Sequence, residues 1–186
     1  MQQSPAMVPE AQFDTTEHGL VPKGEGWFVS NAREARWLHA PGRSAFCDLE
    51  GDTDFPQLGI NLSVLEPGVP MAMYHWEADQ EDFLVLTGEA LLIVEGEERP
   101  LRQWDLVHCP AETKHVIVGA GKTSCLLLAV GAREHQNASG WGGYSVDGVA
   151  QRHGAGVEQE TTDVRQAYAA LTRREPTRYR EGWLPE

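Results

Sequence analysis

Alternation is the clearest hydrophobic pattern in the chain. Leu58, Ile60, Leu62 and Val64 fall on one face of a predicted strand that stops at Glu66-Pro67-Gly68. Short apolar runs follow at close spacing. Phe83–Leu86 ends at Thr87-Gly88. Ala90–Val94, the turn Glu95-Gly96-Glu97 and the segment 98–101 predict a hairpin. Asp105–Cys109 stops at Pro110, His115–Val118 stops at Gly119-Ala120-Gly121, and residues 124–131 form a last apolar strand. Upstream, Trp27–Val29, Arg36–His39 (closed by Pro41-Gly42) and Ser44–Leu49 are shorter candidates. Many short strands punctuated by Gly and Pro predict an antiparallel sandwich or barrel.

The ends differ from this middle. The start of the chain is rich in Pro, Gln, Thr and charge and lacks periodicity, so residues 1–25 are expected to be a flexible arm. The strands occupy 26–132. Residues 133–186 form a C-terminal extension that is loop-like over 136–143 and carries a short helix at 146–153 stopped by Gly154. A longer helix is predicted from Thr161 to Arg174. It has a cap residue ahead of it, alanines within it and two arginines in its last turn, and Val164, Tyr168 and Leu171 share a face.

Charge and cysteine content narrow the partners. The net charge of −13 argues against a phosphate backbone or an anionic membrane, both of which need clustered Lys/Arg. Cys47, Cys109 and Cys125 are odd in number and widely spaced, which reads as reduced thiols in a cytoplasmic protein. The N-terminus lacks a basic region followed by an apolar one, and no apolar run reaches membrane-spanning length. The expected partner is a small molecule, with no nucleic acid and no membrane.

Two stretches carry the chemistry. The first runs from Gly68 through His75, Glu77 and Glu81 to Gly88; the second runs from Trp104 through Pro110 and Glu112 to His115 and Gly119. His75, Glu77 and Glu81 have equal parity, so along an extended segment they face one side, and a loop between Glu77 and Glu81 would weaken that argument. His115 comes from a separate strand and is expected to join them only if the sheet closes over. Two imidazoles and a carboxylate around one point suit Zn, Fe(II), Mn, Co or Ni. His108 and Cys109 are adjacent and so point to opposite faces, which separates them as a nucleophile–base pair. Asp79 and Asp82 are expected to be solvated.

These stretches resemble the two motifs of the cupin superfamily, Gly-x5-His-x-His-x(3,4)-Glu-x6-Gly and Gly-x5-Pro-x-Gly-x2-His-x3-Asn. His75, Glu81 and Gly88 match the first, and Pro110 and His115 match the second, across a spacer of 15 residues between Gly88 and Trp104. Glu77 stands where the family has its second histidine, Trp104 and Glu112 where it has glycines, and Gly119 where it has asparagine.

The resemblance implies an antiparallel double-stranded β-helix, a jelly-roll barrel, with a single divalent ion held by His75, Glu81 and His115. Glu77 is either a fourth ligand through oxygen or a catalytic base beside a facial triad. Oxygen-rich coordination leans toward Fe(II) or Mn(II), with Zn and Ni also compatible. The implied activity is a dioxygenase or an isomerase/epimerase acting on a small molecule; the alternative is a non-catalytic binding or sensing module. Relatives with long arms often exchange strands, which leads to an expected homodimer.

Overall fold

A computed structural model describes residues 7–47, 49–52 and 55–186. The strands are β1 (Gln12–Thr16), β2 (Gly19–Lys23), β3 (Trp37–His39), β4 (Ala45–Cys47), β5 (Leu58–Leu65), β6 (His75–Glu77) and β7 (Glu81–Thr87). They continue with β8 (Glu89–Val94), β9 (Glu97–Arg102), β10 (Leu106–Cys109), β11 (His115–Ala120), β12 (Cys125–Ala132) and β13 (Gly142–Tyr144). Two short helices, α1 (Gly148–Arg152) and α2 (Val164–Ala167), precede β14 (Glu175–Thr177).

The strands form a seven-stranded sheet in the order β10-β7-β12-β5-β4-β3-β14 and a five-stranded sheet in the order β13-β6-β11-β8-β9. Every pairing within them is antiparallel. The main core lies between the two sheets. Leu65, Phe83, Val85, Val107, Cys109, Leu127 and Ala129 come from the larger sheet, and Ala90, Leu92 and Ile117 meet them from the smaller one. Burying each large apolar side chain stabilises the fold by roughly 1.5–3 kcal/mol. A second cluster on the larger sheet centres on Trp37, which is fully buried under Tyr179, Trp183 and Leu184 of the C-terminal segment.

The expected jelly-roll barrel is corrected here, because among the described residues neither sheet closes on itself or on the other. The smaller sheet ends at β9, an exposed strand of charged residues with Pro100 in it. The larger one ends at β14, which carries Pro176. Proline has no N–H to continue a ladder, so both edges are blunt. Between β9 and β10 the chain does not form a hairpin. Arg102 and Asp105 bond across a turn in which Trp104 sits at φ 74°, and the chain passes from one sheet to the other.

Two segments differ from their expected form. Within the expected arm, β1 and β2 pair as a hairpin from Gln12–Lys23 to Thr16–Gly19, while residues 1–6 lie outside the described residues. The predicted helix 161–174 is reduced to the four residues of α2, capped by the Asp163 carboxylate. Within it Ala167 alone is buried, and Val164 is 55% exposed. So little burial does not offset the cost of nucleating a longer helix. Tyr168 ends it instead, its hydroxyl accepting from Met73 N at 3.1 Å. Among the described residues no helix is long and apolar enough to cross a membrane.

Candidate metal centre

His75 opens β6 and His115 opens β11, and the two are direct cross-strand partners in the five-stranded sheet. No closure is needed to bring them together, contrary to the expectation for His115. Their rings stand 4.8 Å apart between centroids. Glu81 opens β7 in the facing sheet, beyond the bend at residues 78–80, so it approaches from across the core and not along the strand of His75. Its Oε2 lies 3.6 Å from His75 Nε2 and 3.3 Å from His115 Nε2. One donor atom from each of the three residues falls within 4.8 Å of the others.

The tautomers are set by the backbone. His75 Nδ1–H donates to Met73 O at 2.8 Å, and His115 Nδ1–H donates to Thr113 O at 2.9 Å. Each ring therefore aims an Nε2 lone pair at Glu81, the arrangement that orients a metal-ligating imidazole. Both Glu81 Oε2 and His115 Nε2 are buried and have no hydrogen-bond partner among the described residues. Leaving a buried acceptor unmet costs roughly 1–3 kcal/mol. Converging acceptors without a donor are what a cation would satisfy, so these residues fit a divalent ion.

The charges respond to this crowding. Burial alone would lower His75, but close contact with Glu81 and its charge, helped by Glu77, raise it. Burial and the neighbouring His75 lower His115. Burial would raise Glu81, yet contact with His75 and the charge of His115 hold it below the usual carboxylate range.

Glu77 stands apart. Its Oε1 is 3.8 Å from His75 Nε2, and it is not among the donors gathered within 4.8 Å. Burial, and then the charge of Glu81, push it up to about 7. Phe83 packs on the His115 ring at 5.3 Å. Cys109 is buried in the core with its thiol pushed up to about 12 by burial, while His108 pairs outside with Asp82 at 2.7 Å, so the two do not cooperate.

The turn before His115 keeps its form without glycine. Glu112 sits at φ 67° and Trp104 at φ 74°. Glu112 N donates to Glu77 O at 2.7 Å, tying the second stretch to the first. At Gly119 a Cβ would lie 2.2 Å from Glu66 O, so no side chain fits there.

Several neighbours escape a reading of the sequence alone. Asp79, expected to be solvated, is only 5% exposed. Its carboxylate accepts from His135 N at 2.8 Å, His135 Nδ1 at 2.6 Å and Trp141 Nε1 at 3.1 Å. It forms a second acid–histidine group with Glu134 and His135, but its oxygens are already engaged by protein donors. This clasp, with Ala78 N donating to Trp141 O, holds the segment after Arg133 beside β6. There β13 pairs with β6, placing Tyr144 opposite His75 with their rings 6.1 Å apart. The consecutive glycines of β13 hid it as a loop, and the aromatics Trp141 and Tyr144 flanking them were its cue in the sequence. A cavity of about 420 Å³ opens here against His75, Glu77, Trp141, Gly142, Tyr144 and Gln136.

Residues 61–131 match the cupin domain family. Among solved structures, a candidate sugar phosphate isomerase from Acidithiobacillus ferrooxidans is 30% identical over 41% of this chain and 51% of its own, with a TM-score of 0.40. A cupin-superfamily sugar phosphate isomerase from Silicibacter pomeroyi is 28% identical over 48% of this chain and 59% of its own, with a TM-score of 0.44. The chain thus spans between half and three fifths of the length of these two proteins. A predicted oxalate decarboxylase from Thermotoga maritima is 19% identical over 56% of this chain and 98% of its own, with a TM-score of 0.50, a likeness of fold alone. No curated protein matches the chain at a significant level.

Proposed function

From the premise that this chain carries a cupin domain, we propose that it is a metal-dependent enzyme acting on a small molecule, with His75, Glu81 and His115 as the ligands. The observation that carries the reading is the pair of buried, unpartnered acceptors, Glu81 Oε2 and His115 Nε2, beside a second imidazole of fixed tautomer. Two nitrogens and one or two oxygens suit Fe(II) or Mn(II), and Zn also fits. A bound divalent ion there supplies Lewis acidity, and iron adds redox chemistry.

The residues of the chain supply the rest. The Glu77 carboxylate accepts no hydrogen bond among the described residues and borders the cavity, which suits a general base on the substrate's side of the ligands. Tyr144 walls the site opposite His75. A free carboxylate at this place favours isomerase or epimerase chemistry, in which Glu77 takes a proton from a carbon beside a carbonyl, over dioxygenation. The test is metal analysis of wild type, His115→Ala and Glu77→Gln, joined to deuterium uptake from D2O into an α-hydroxycarbonyl sugar. Wild type and Glu77→Gln retain metal, His115→Ala does not, and Glu77→Gln abolishes the exchange. Negligible metal in the wild type would sink the proposal. Oxygen consumption without exchange would move it to the dioxygenase reading.

A further inference from the structure

We infer that the cavity beside Glu77 selects an unphosphorylated, hydroxyl-bearing small molecule and discriminates against a phosphate ester of the same compound. The inference names the substrate class of the proposed site and rests on that reading for the site's location. The first observation is charge. Among the described residues no Lys or Arg lines the cavity, and its acidic edge is Glu77, with Glu81 and the buried Asp79 close behind. In the metal-free protein a phosphate dianion entering here meets the Glu77 and Glu81 carboxylates, and with or without an ion at the ligands it finds no guanidinium or ammonium to pair with.

Arg133 is near enough to influence Glu77, but it is already spent. Its guanidinium donates to both Glu50 oxygens and to Phe55 O. The start of α2 adjoins the cavity through Thr162 and Val164. It offers no anion site either, because the Asp163 carboxylate already accepts from Arg165 N.

The second observation is the chemistry that is present. Gln136 and Thr162 bring an amide and a hydroxyl, and Trp141 and Tyr144 bring aromatic surface. At Gly142 a Cβ would lie 2.9 Å from Trp76 O, so the glycine lets β13 run close against β6 at the cavity wall. Uncharged hydrogen-bonding groups with aromatic walls, in a volume of about 420 Å³, suit a neutral polyol or sugar.

The test is a tryptophan-fluorescence titration, since Trp76 and Trp141 line the cavity. The probes are D-fructose and its terminal phosphate ester, each added to zinc-loaded and chelator-treated protein. The sugar is expected to give a saturable change, with the ester at least about tenfold weaker, the equivalent of about 1.4 kcal/mol. Gln136→Lys, which adds the missing cation, is expected to narrow or reverse the preference while the zinc content stays that of wild type. An ester that binds wild type as tightly as the sugar overturns the inference, and so does a sugar that gives no saturable change. Zinc content of the same samples keeps the metal reading separate, because a protein that holds zinc but prefers the ester refutes only this inference.

Discussion

Two buried polar clusters lie on the same fold and obey opposite rules. In one, Arg133 grips Glu50 with both arms, and Glu50 also accepts from Phe55 N at 2.7 Å and Ile60 N at 3.2 Å. Every oxygen there has a donor. In the other, Glu81 faces two imidazole lone pairs, and Glu81 Oε2 and His115 Nε2 have no hydrogen-bond partner among the described residues. Both glutamates are largely buried, with side-chain exposures of 11% and 14%. Burial therefore does not separate structure from function here; satisfaction of the acceptors does. The first cluster ties Glu50, Phe55 and the start of β5 to Arg133, which follows β12. The second has the composition of an ion site.

The same near-isosteric change should have opposite consequences in the two clusters. Glu50→Gln sets an amide NH2, itself a donor, against donors of Arg133 and the backbone and strips Arg133 of its counter-charge. Breaking a buried pair in this way costs about 3–5 kcal/mol, to be read from chemical denaturation. Metal content should not change. A loss below about 1 kcal/mol would show that the pair is no more than a solvated surface contact.

Glu81→Gln inverts the outcome. In chelator-treated protein the new amide can donate to His115 Nε2, so stability should rise by about 1 kcal/mol. Metal affinity should fall by more than about a hundredfold, beyond the 10–100-fold typical of groups that only support a ligand. If the metal-free variant were instead destabilised as strongly as Glu50→Gln, Glu81 would be a structural residue and the contrast would collapse.

Asp79 is an intermediate case, a carboxylate between two proposed site residues yet fully satisfied. Burial would raise it, but the His135 and Trp141 hydrogen bonds and the His135 charge hold it below the usual range. The same contact raises His135. The carboxylate's contribution is present above its unfolded value of about 3.9 and is lost as pH falls through the lower folded value. The imidazole's contribution is present below about 6.5 and is lost as pH rises through the raised folded value. The gap in melting temperature between wild type and Asp79→Asn should therefore be widest between about pH 4 and 6.5 and narrow on both sides. The two neutral donors, His135 N and Trp141 Nε1, set its scale at about 1 kcal/mol each. A gap that does not vary with pH would remove the ionic part of the clasp.

The legibility of these features in the sequence follows from how local their causes are. His75, Glu81 and His115 stood out because motif spacing is local, and the fold does bring their donor atoms together. β5, β8 and β11 stood out because alternation or an apolar run marks them. Closure did not, since strand patterns carry no record of which edges pair. Pro100 and Pro176 were the available signals, and each is a single residue. Asp79 was misplaced because its burial depends on a segment more than fifty residues downstream returning to it. The hairpin β1–β2 was hidden by its polarity: within it Val21 and Pro22 alone are buried.

The smallest effect tests whether the turn joining the two stretches belongs with the satisfied or the unsatisfied cluster. Glu112 is exposed, holds φ 67° without being glycine, and donates its N–H to Glu77 O. A left-handed residue with a Cβ is strained by roughly 1–2 kcal/mol. Glycine relieves that strain but loses roughly 0.5–1 kcal/mol to backbone entropy. Glu112→Gly should therefore stabilise the fold by under about 1 kcal/mol, keep the hydrogen bond to Glu77, and leave metal affinity as in wild type. A fall in metal affinity would mean that the Glu112 side chain, and not the conformation of the turn, helps to set the site.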